Sequence, residues 1–509
     1  MRYCHHSKLL PLLLAFLPVT AGAQDDGWFA KEKSLWFNTS NAAGLGVKDL
    51  QVCNTADLGY RYETGSWHRM QEGADCGTLT FNTQGSAKVG KIQLWGQFSY
   101  DNITEDGTRF NTLVFDPFDE RFIYNAADPV ESKWKRQAYD MEFKMSVPAG
   151  KKIFAGAHLR YFDRIAAKQN DPRAESNSYN VQVSPSAVFR FGNSSLGVDV
   201  SYSHFLERSA PTLSNGSILQ DVFVLRGLGN YTEDIVGSGG LNTMYYTCNA
   251  VGGHIQYALD SGLGLLIEAG GEFKPTGLRQ DAVHPRDMGR AEVLDITLGV
   301  QALISNGSRQ HKIDMDVLLR STNGVEYSTK QVSGSGWEVF AESIMSEYKT
   351  LSAGVTYNFF TTNEDSFLWN FRGKASFFAK DDKYIAPESL FNYSGISLAA
   401  GVCRRFIFKR STLAADIDLN AMKSLGGEYE YSGTRAGSVP VTEWYPADLN
   451  VLTADYLKAG ASLTWLRRTA STLSYGFTFS ADFLTSGKGS SGTAAGNRLY
   501  LDAGLKLVF

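Results

Sequence analysis

Six charged residues hold the most regular chemistry of the chain: Asp314 and Asp316, Arg372 and Lys374, Asp416 and Asp418. The two members of each pair stand two positions apart, inside stretches where apolar and polar residues alternate. In an extended chain such pairs share a face. The apolar residues take the opposite face, so all six are expected on one wet wall. Two stretches lie between them, and on the same parity they present Ser352, Gly354 and Thr356, then Ser397, Ala399 and Gly401. Small residues there are expected to leave an acid–base–acid stripe unobstructed. Such a stripe has the chemistry of a selectivity device on a solute path. The competing reading is a wall whose charges neutralise one another. Glu268, Glu272 and Arg160 add to the charge of the same wall.

Residues for bond-making chemistry do not converge. The 8 histidines are scattered, and neither H-E-x-x-H nor G-x-S-x-G occurs. His158 and His204 read as polar wall residues. Cys53, Cys76, Cys248 and Cys403 lie far apart with no C-x-x-C spacing, so free thiols are expected rather than disulfides or zinc ligands. A non-enzyme without cofactor or metal is the expectation. A net charge of −4 gives nucleic acid no reason to bind.

Strands must position the stripe, and the last thirteen residues show them best. Leu499, Leu501, Ala503, Leu505, Leu507 and Phe509 fall on one parity; Arg498, Tyr500, Asp502 and Lys506 fall on the other. That is a strand with one apolar face, of the length a membrane strand needs. Leu505 is expected to face lipid, and Lys506, on the wet face, to tolerate alanine. The same alternation recurs upstream, from Ala56–Tyr62 through Leu473–Phe483, and gives about 18 strands. A weak stretch at Cys76–Gln84 makes 16 the fallback. The fold class is therefore all-β: a transmembrane antiparallel up-and-down β-barrel, with residues 51–509 as the barrel. A barrel of this size has room for a water-filled lumen.

Connections alternate in length. Short turns such as Gly192-Asn193-Ser194, Asp260-Ser261-Gly262 and Asn306-Gly307 use residues that tolerate positive φ. Long loops are expected near residues 103–134, 207–243, 274–289, 322–346 and 423–452. By the rule for such barrels, short turns are periplasmic and long loops external. The short turns are rich in lysine and arginine, among them Lys151, Lys152, Arg309, Lys409, Arg410, Arg467 and Arg468. A basic rim against anionic headgroups and ordinary solvated turns both fit that pattern.

The N-terminus is an export signal: Arg2 and Lys8 precede the apolar run Leu9–Val19, and Ala21-Gly22-Ala23 offers a cleavage site. Residues 1–23 are the signal peptide, cleaved near Ala23, and the mature chain is expected in the cell outer membrane. Residues 24–50 do not alternate, yet they carry Trp28, Phe29, Trp36, Phe37 and Leu45. Apolar surface left in water is costly, so this segment is expected to enter the lumen from the periplasmic end. Trp36, Asn41, Gly44 and Leu45 are the candidate plug residues.

Asn41-Ala42-Ala43-Gly44-Leu45 is similar to the Asn-Pro-Ala-(Gly/Ala)-Leu element that opens long-chain fatty-acid transporter-like barrels, with Ala42 in place of proline. The whole chain resembles a Bacteroidota outer-membrane barrel family of uncharacterised function. The resemblance implies an N-terminal segment tucked into the lumen, and gives a fold and an address but no reaction. A strand ending on Phe509 resembles those that the barrel-assembly machinery reads. The expected partners are thus the outer-membrane lipid bilayer, that machinery, and an unknown small solute or surface partner. A channel or transporter is the first functional expectation, and an accessory or surface-binding barrel the second.

Overall fold

The computed structural model of the chain describes residues 26–48, 54–111, 113–237, 240–281, 284–334, 336–363, 366–469 and 473–509. The export signal expected at residues 1–23 lies outside them, as does Cys53. Eighteen strands form one antiparallel sheet, in which each strand pairs with its neighbour in the chain. The first, Thr55–Gly65, pairs with both Asp75–Val89 and the last, Asn497–Val508, which closes the ring. The weak Cys76–Gln84 stretch lies within Asp75–Val89, a full wall strand, so eighteen holds and sixteen does not.

Closure satisfies every wall strand on both edges, the condition for crossing hydrocarbon. One parity of each strand then makes a continuous apolar outer belt, with Leu58, Ile267, Leu298, Ile417 and Leu505 all exposed. The other parity lines the lumen. Gly192, Gly262 and Gly307 sit in the tight turns at positive φ, +63°, +83° and +57°, which bulkier residues would resist.

Two expected loops are strands. Arg309–Val332 and Gly336–Asn363 run for 24 and 28 residues, and their ladder extends to Val332 opposite Gly336. The stretch 322–346 is thus a projecting β-arm. Likewise Leu263–Gln280 and Arg286–Asn306 pair through most of 274–289. Beyond the lipid belt both faces of a strand are wet, so alternation fades while the backbone pairing continues.

The lumen has three storeys. At the short-turn end lies a floor made by the helix Asp26–Glu32 and the 3-10 turn Ala42–Gly46. At the opposite mouth residues 109–131 fold inward over a small sheet, in which Ala126–Ala127 and the hairpin Gln220–Gly227 with Asn230–Val236 pair. The helix Tyr445–Leu452 joins them, and the apolar cluster here includes Phe122, Trp134, Phe205, Val224, Tyr246 and Leu449. Between floor and ceiling the wall is polar and charged. The described cysteines, Cys76, Cys248 and Cys403, are not joined in disulfides, and Cys248 and Cys403 are buried.

Candidate functional site

The floor is docked by hydrogen bonds as well as by apolar contact. Asn41 caps the 3-10 turn, its Oδ1 accepting from the Ala43 amide at 3.0 Å. Its Nδ2 donates to Ala187 O and Val198 O, 3.1 Å each, and to Gln256 Oε1 at 3.0 Å. The Ala43 amide also meets Ser186 Oγ, and Ser146 Oγ donates to Ala43 O at 2.9 Å. Ser40 Oγ donates to Asp199 Oδ2 at 2.7 Å, and Gln256 Nε2 bridges Asp199 and Glu268 at 2.6 and 3.1 Å. The buried Lys144 ammonium donates to the carbonyls of Phe37 and Thr39, 3.2 Å each. Short range decides the fit. A Cβ on Gly44 would fall 2.6 Å from the Trp36 ring, and one on Gly156 would fall 2.2 Å from the Ala43 nitrogen.

Apolar residues fill what remains. Trp36 packs with Ala43, Val188, Ala258 and Leu266, while Leu45 packs with Phe37 and Trp95. The helix sets Phe29 against Phe360 and Phe367, with ring centroids 5.1 and 5.5 Å apart. Lys31 donates to Gln84 and Glu32 pairs with Lys312 at 2.7 Å. Gln84 and Lys312 stand on opposite sides of the ring, so the segment spans the lumen.

In the middle storey the six stripe residues share the luminal face but do not form a free stripe. Arg372 closes on Asp416 through two bonds of 2.8 and 2.6 Å, both side chains being almost fully buried. The small residue Gly401 permits this: a Cβ there would fall 2.6 Å from the Arg372 Nη2. The unobstructed charge expected from small neighbours is therefore corrected, because the space they leave is what lets the ion pair form. Asp314 lies 3.4 Å from Lys312, which also holds Glu32 of the floor. Asp316 remains exposed beside Gly354, and Lys374 is partly exposed on the same face. Asp418 and Asp482 both lean over Gly460, and Lys458 meets Asp482 at 3.0 Å.

Several wall groups escaped the sequence reading. Asp295 accepts two bonds from Arg320, 2.6 and 2.8 Å, and a further one from Lys274. Lys144, Asp199 and Gln256, which hold the floor, are single residues on separate strands. Nothing in their spacing announces a common target. His158 does lie on the inner wall, 3.0 Å from Glu142. His204 stands on the outer face instead, bonded to Asn249 beside Tyr202.

Residues 42–509 match the family described as a family of unknown function, DUF6850. The chain belongs to that family. No curated protein matches it. Among solved structures it is similar to the outer membrane transporter YddB from Escherichia coli, with 10% identity, 90% of this chain and 81% of that one covered, and a TM-score of 0.40. It is also similar to BauA, the ferric preacinetobactin receptor from Acinetobacter baumannii, with 9% identity, coverages of 89% and 80%, and a TM-score of 0.38.

The ceiling of this DUF6850 barrel is latched by charge. Buried Glu120, on the inturned 109–131 loop, accepts from Lys380 at 2.6 Å, from Thr350 at 3.4 Å and from Thr322. Burial alone would raise its pKa. Lys380 and Arg320, with the bonds from Lys380 and Thr322, overcome that and hold the carboxyl below its ordinary range. The Glu207 carboxylate accepts from the Phe115 amide at 2.8 Å, and Tyr246 Oη donates to Tyr124 O at 2.9 Å. A second latch joins Arg69 to Asp448 of the neighbouring helix through bonds of 3.0 and 2.8 Å.

Proposed function

We propose that the protein is a gated outer-membrane channel or transporter for a small polar solute. The observation that carries this reading is a charged luminal storey between a floor and a ceiling that are both held by side-chain hydrogen bonds. Such contacts close a pore and still release it without breaking the wall. The charged wall favours a polar solute over an alkyl chain. The apolar belt around a closed barrel supports an outer-membrane address, and an export signal at residues 1–23 would fit it. Fractionation with outer-membrane vesicles, and mature protein starting near Gln24, are the expected outcomes; recovery from the soluble periplasm would refute the address.

The functional test removes both closures. A barrel lacking residues 24–46, and carrying short glycine-serine turns in place of the mouth hairpin (213–241), the mouth helix (433–454) and the inturned loop (110–130), should conduct ions in planar bilayers. Thr108 already pairs with Ser132, so the last of these turns is geometrically possible. A folded but silent barrel would overturn the channel reading. A surface-binding role would then gain, favoured by the projecting arm with its exposed Phe340 and Ile344.

A further inference from the structure

The outer face of the barrel carries an arginine among apolar neighbours close to its short-turn end. Arg404 pairs across the sheet with Trp369 on one side and Ala415 on the other. Ala415 in turn stands opposite Leu463, and Trp369 opposite Thr361, so the row carries no other charge for two strands on either side. Arg404 is exposed, and its guanidinium lies 4.4 Å from the Trp369 ring centroid and 4.7 Å from that of Phe406. Phe406 is two residues nearer the turn, so the side chain leans toward the rim. No acidic group pairs with Arg404 among the described residues. A lipid-facing cation of this kind is expensive and marks a function by default.

The adjacent rim supplies the rest of a site. Arg467 pairs in register with Ser411, and the Arg468 amide donates to the Arg410 carbonyl at 2.8 Å. These contacts hold two turns side by side and gather Lys409, Arg410, Arg467 and Arg468. None of the four has an ion pair among the described residues. Ile407 and Phe408 are exposed beside them, 50% and 57%. Unpaired cations above apolar side chains match a molecule that has a phosphate at one end and acyl chains at the other.

We propose that Arg404, with Lys409, Arg410, Arg467 and Arg468, binds the headgroup of an anionic phospholipid in the leaflet at the short-turn end. Arg404 reaches the phosphate from the hydrocarbon side, its guanidinium fixed by the two rings. The turn cations close on it from the water side. Bulk attraction to a charged surface needs no such pairing of a lipid-facing arginine with rim cations. The inference is independent of the pore reading.

The test uses full-length protein in nanodiscs of phosphatidylethanolamine with a minority of phosphatidylglycerol, followed by native mass spectrometry after detergent exchange. The wild type should retain bound phosphatidylglycerol. Arg404→Leu should fold at least as well, since it removes a charge from the lipid face, and should weaken retention about fivefold. R467Q/R468Q should weaken it about fivefold for each cation removed. Lys151 and Lys152, on a distant turn, serve as the control, and K151Q/K152Q should leave it unchanged. Equal losses in the control and the site variants would mean diffuse attraction and overturn the site. Retention untouched by Arg404→Leu would overturn it as well, and displacement by millimolar inorganic phosphate would make it a free-anion site instead.

Discussion

At the scale of single residues, the closing strand separates two environments one position apart. Leu505 is 63% exposed and Lys506 only 7%, so lipid lies on one side and a packed wall on the other. Leu505→Arg should cost up to about 2–4 kcal/mol near the midplane. Alanine at Lys506 is not the harmless change that a wet face implies. Its ammonium lies 3.5 Å from Asp57 in a buried setting, and removing one partner strands the other charge, a loss of about 3–5 kcal/mol at most. Equilibrium unfolding in lipid vesicles measures both, and a neutral Lys506→Ala would show that water still reaches Asp57. The same logic corrects the stripe. Arg372→Glu should destabilise the barrel, because it breaks the bond to Asp416 and sets two carboxylates together. Lys374→Glu should leave the barrel folded and shift ion selectivity toward cations once the pore is open. The parity of all these residues was legible in the sequence, since lipid on one face imposes a period of two. Which of them would pair was not, because Arg372 and Asp416 meet only through the register of three strands and the hollow over Gly401.

Among the elements, the floor and the ceiling loop differ in how far the sequence announced them. Residues 24–50 stood out by lacking alternation while carrying aromatics, and Trp36, Asn41, Gly44 and Leu45 do lie together inside the barrel. Their receptors could not be read ahead, for Gly156, Gly197 and Gln256 are unremarkable until the wall folds. A Cβ on Gly197 would fall 2.9 Å from both Asn41 Nδ2 and Trp36. Gly197→Val should therefore loosen the floor without opening the wall, and a protease acting from the short-turn side should cut near residue 38 faster than in the wild type. The ceiling loop was located but expected to be an external loop, since an inturned loop and a solvated one use similar residues. Its latch has a pH signature whose sign follows from Glu120. A carboxyl held below its ordinary value of about 4.3 adds stability that is fully present above that value. It is lost as the pH falls through the lower, folded value. The part of loop protection that Glu120 supplies, read in hydrogen exchange as the difference between wild type and Glu120→Gln, should thus stay constant from about pH 8 to about pH 5 and shrink only in stronger acid. Asp382, which also meets Lys380 at 3.4 Å, is present in both proteins and drops out of that difference; a difference that vanished already near neutrality would mean Glu120 is not the latch.

For the whole molecule, the arrangement of two closures in one lumen makes a prediction that neither closure makes alone. Floor and ceiling lie in series along the same path, so the tighter one sets the current. Removing residues 24–46 takes away the contacts of Ser40, Asn41 and Ala43 but leaves the 109–131 loop held by Lys380 and the Phe122 cluster. Shortening that loop together with the hairpin and helix that pack with it removes the ceiling but leaves Lys144 and Gln256 holding the floor. Each single change should then raise conductance only to brief openings, when the remaining closure fluctuates away. The double change should give a steady current larger than the sum of the two. Conductances of the four proteins, measured in the same planar bilayer and salt, complete the cycle. If removing the floor alone gave the full current, the ceiling would be permeable and the loop would serve surface binding. If the currents simply added, floor and ceiling would obstruct separate paths, and a single three-storey lumen would be the wrong description of this barrel.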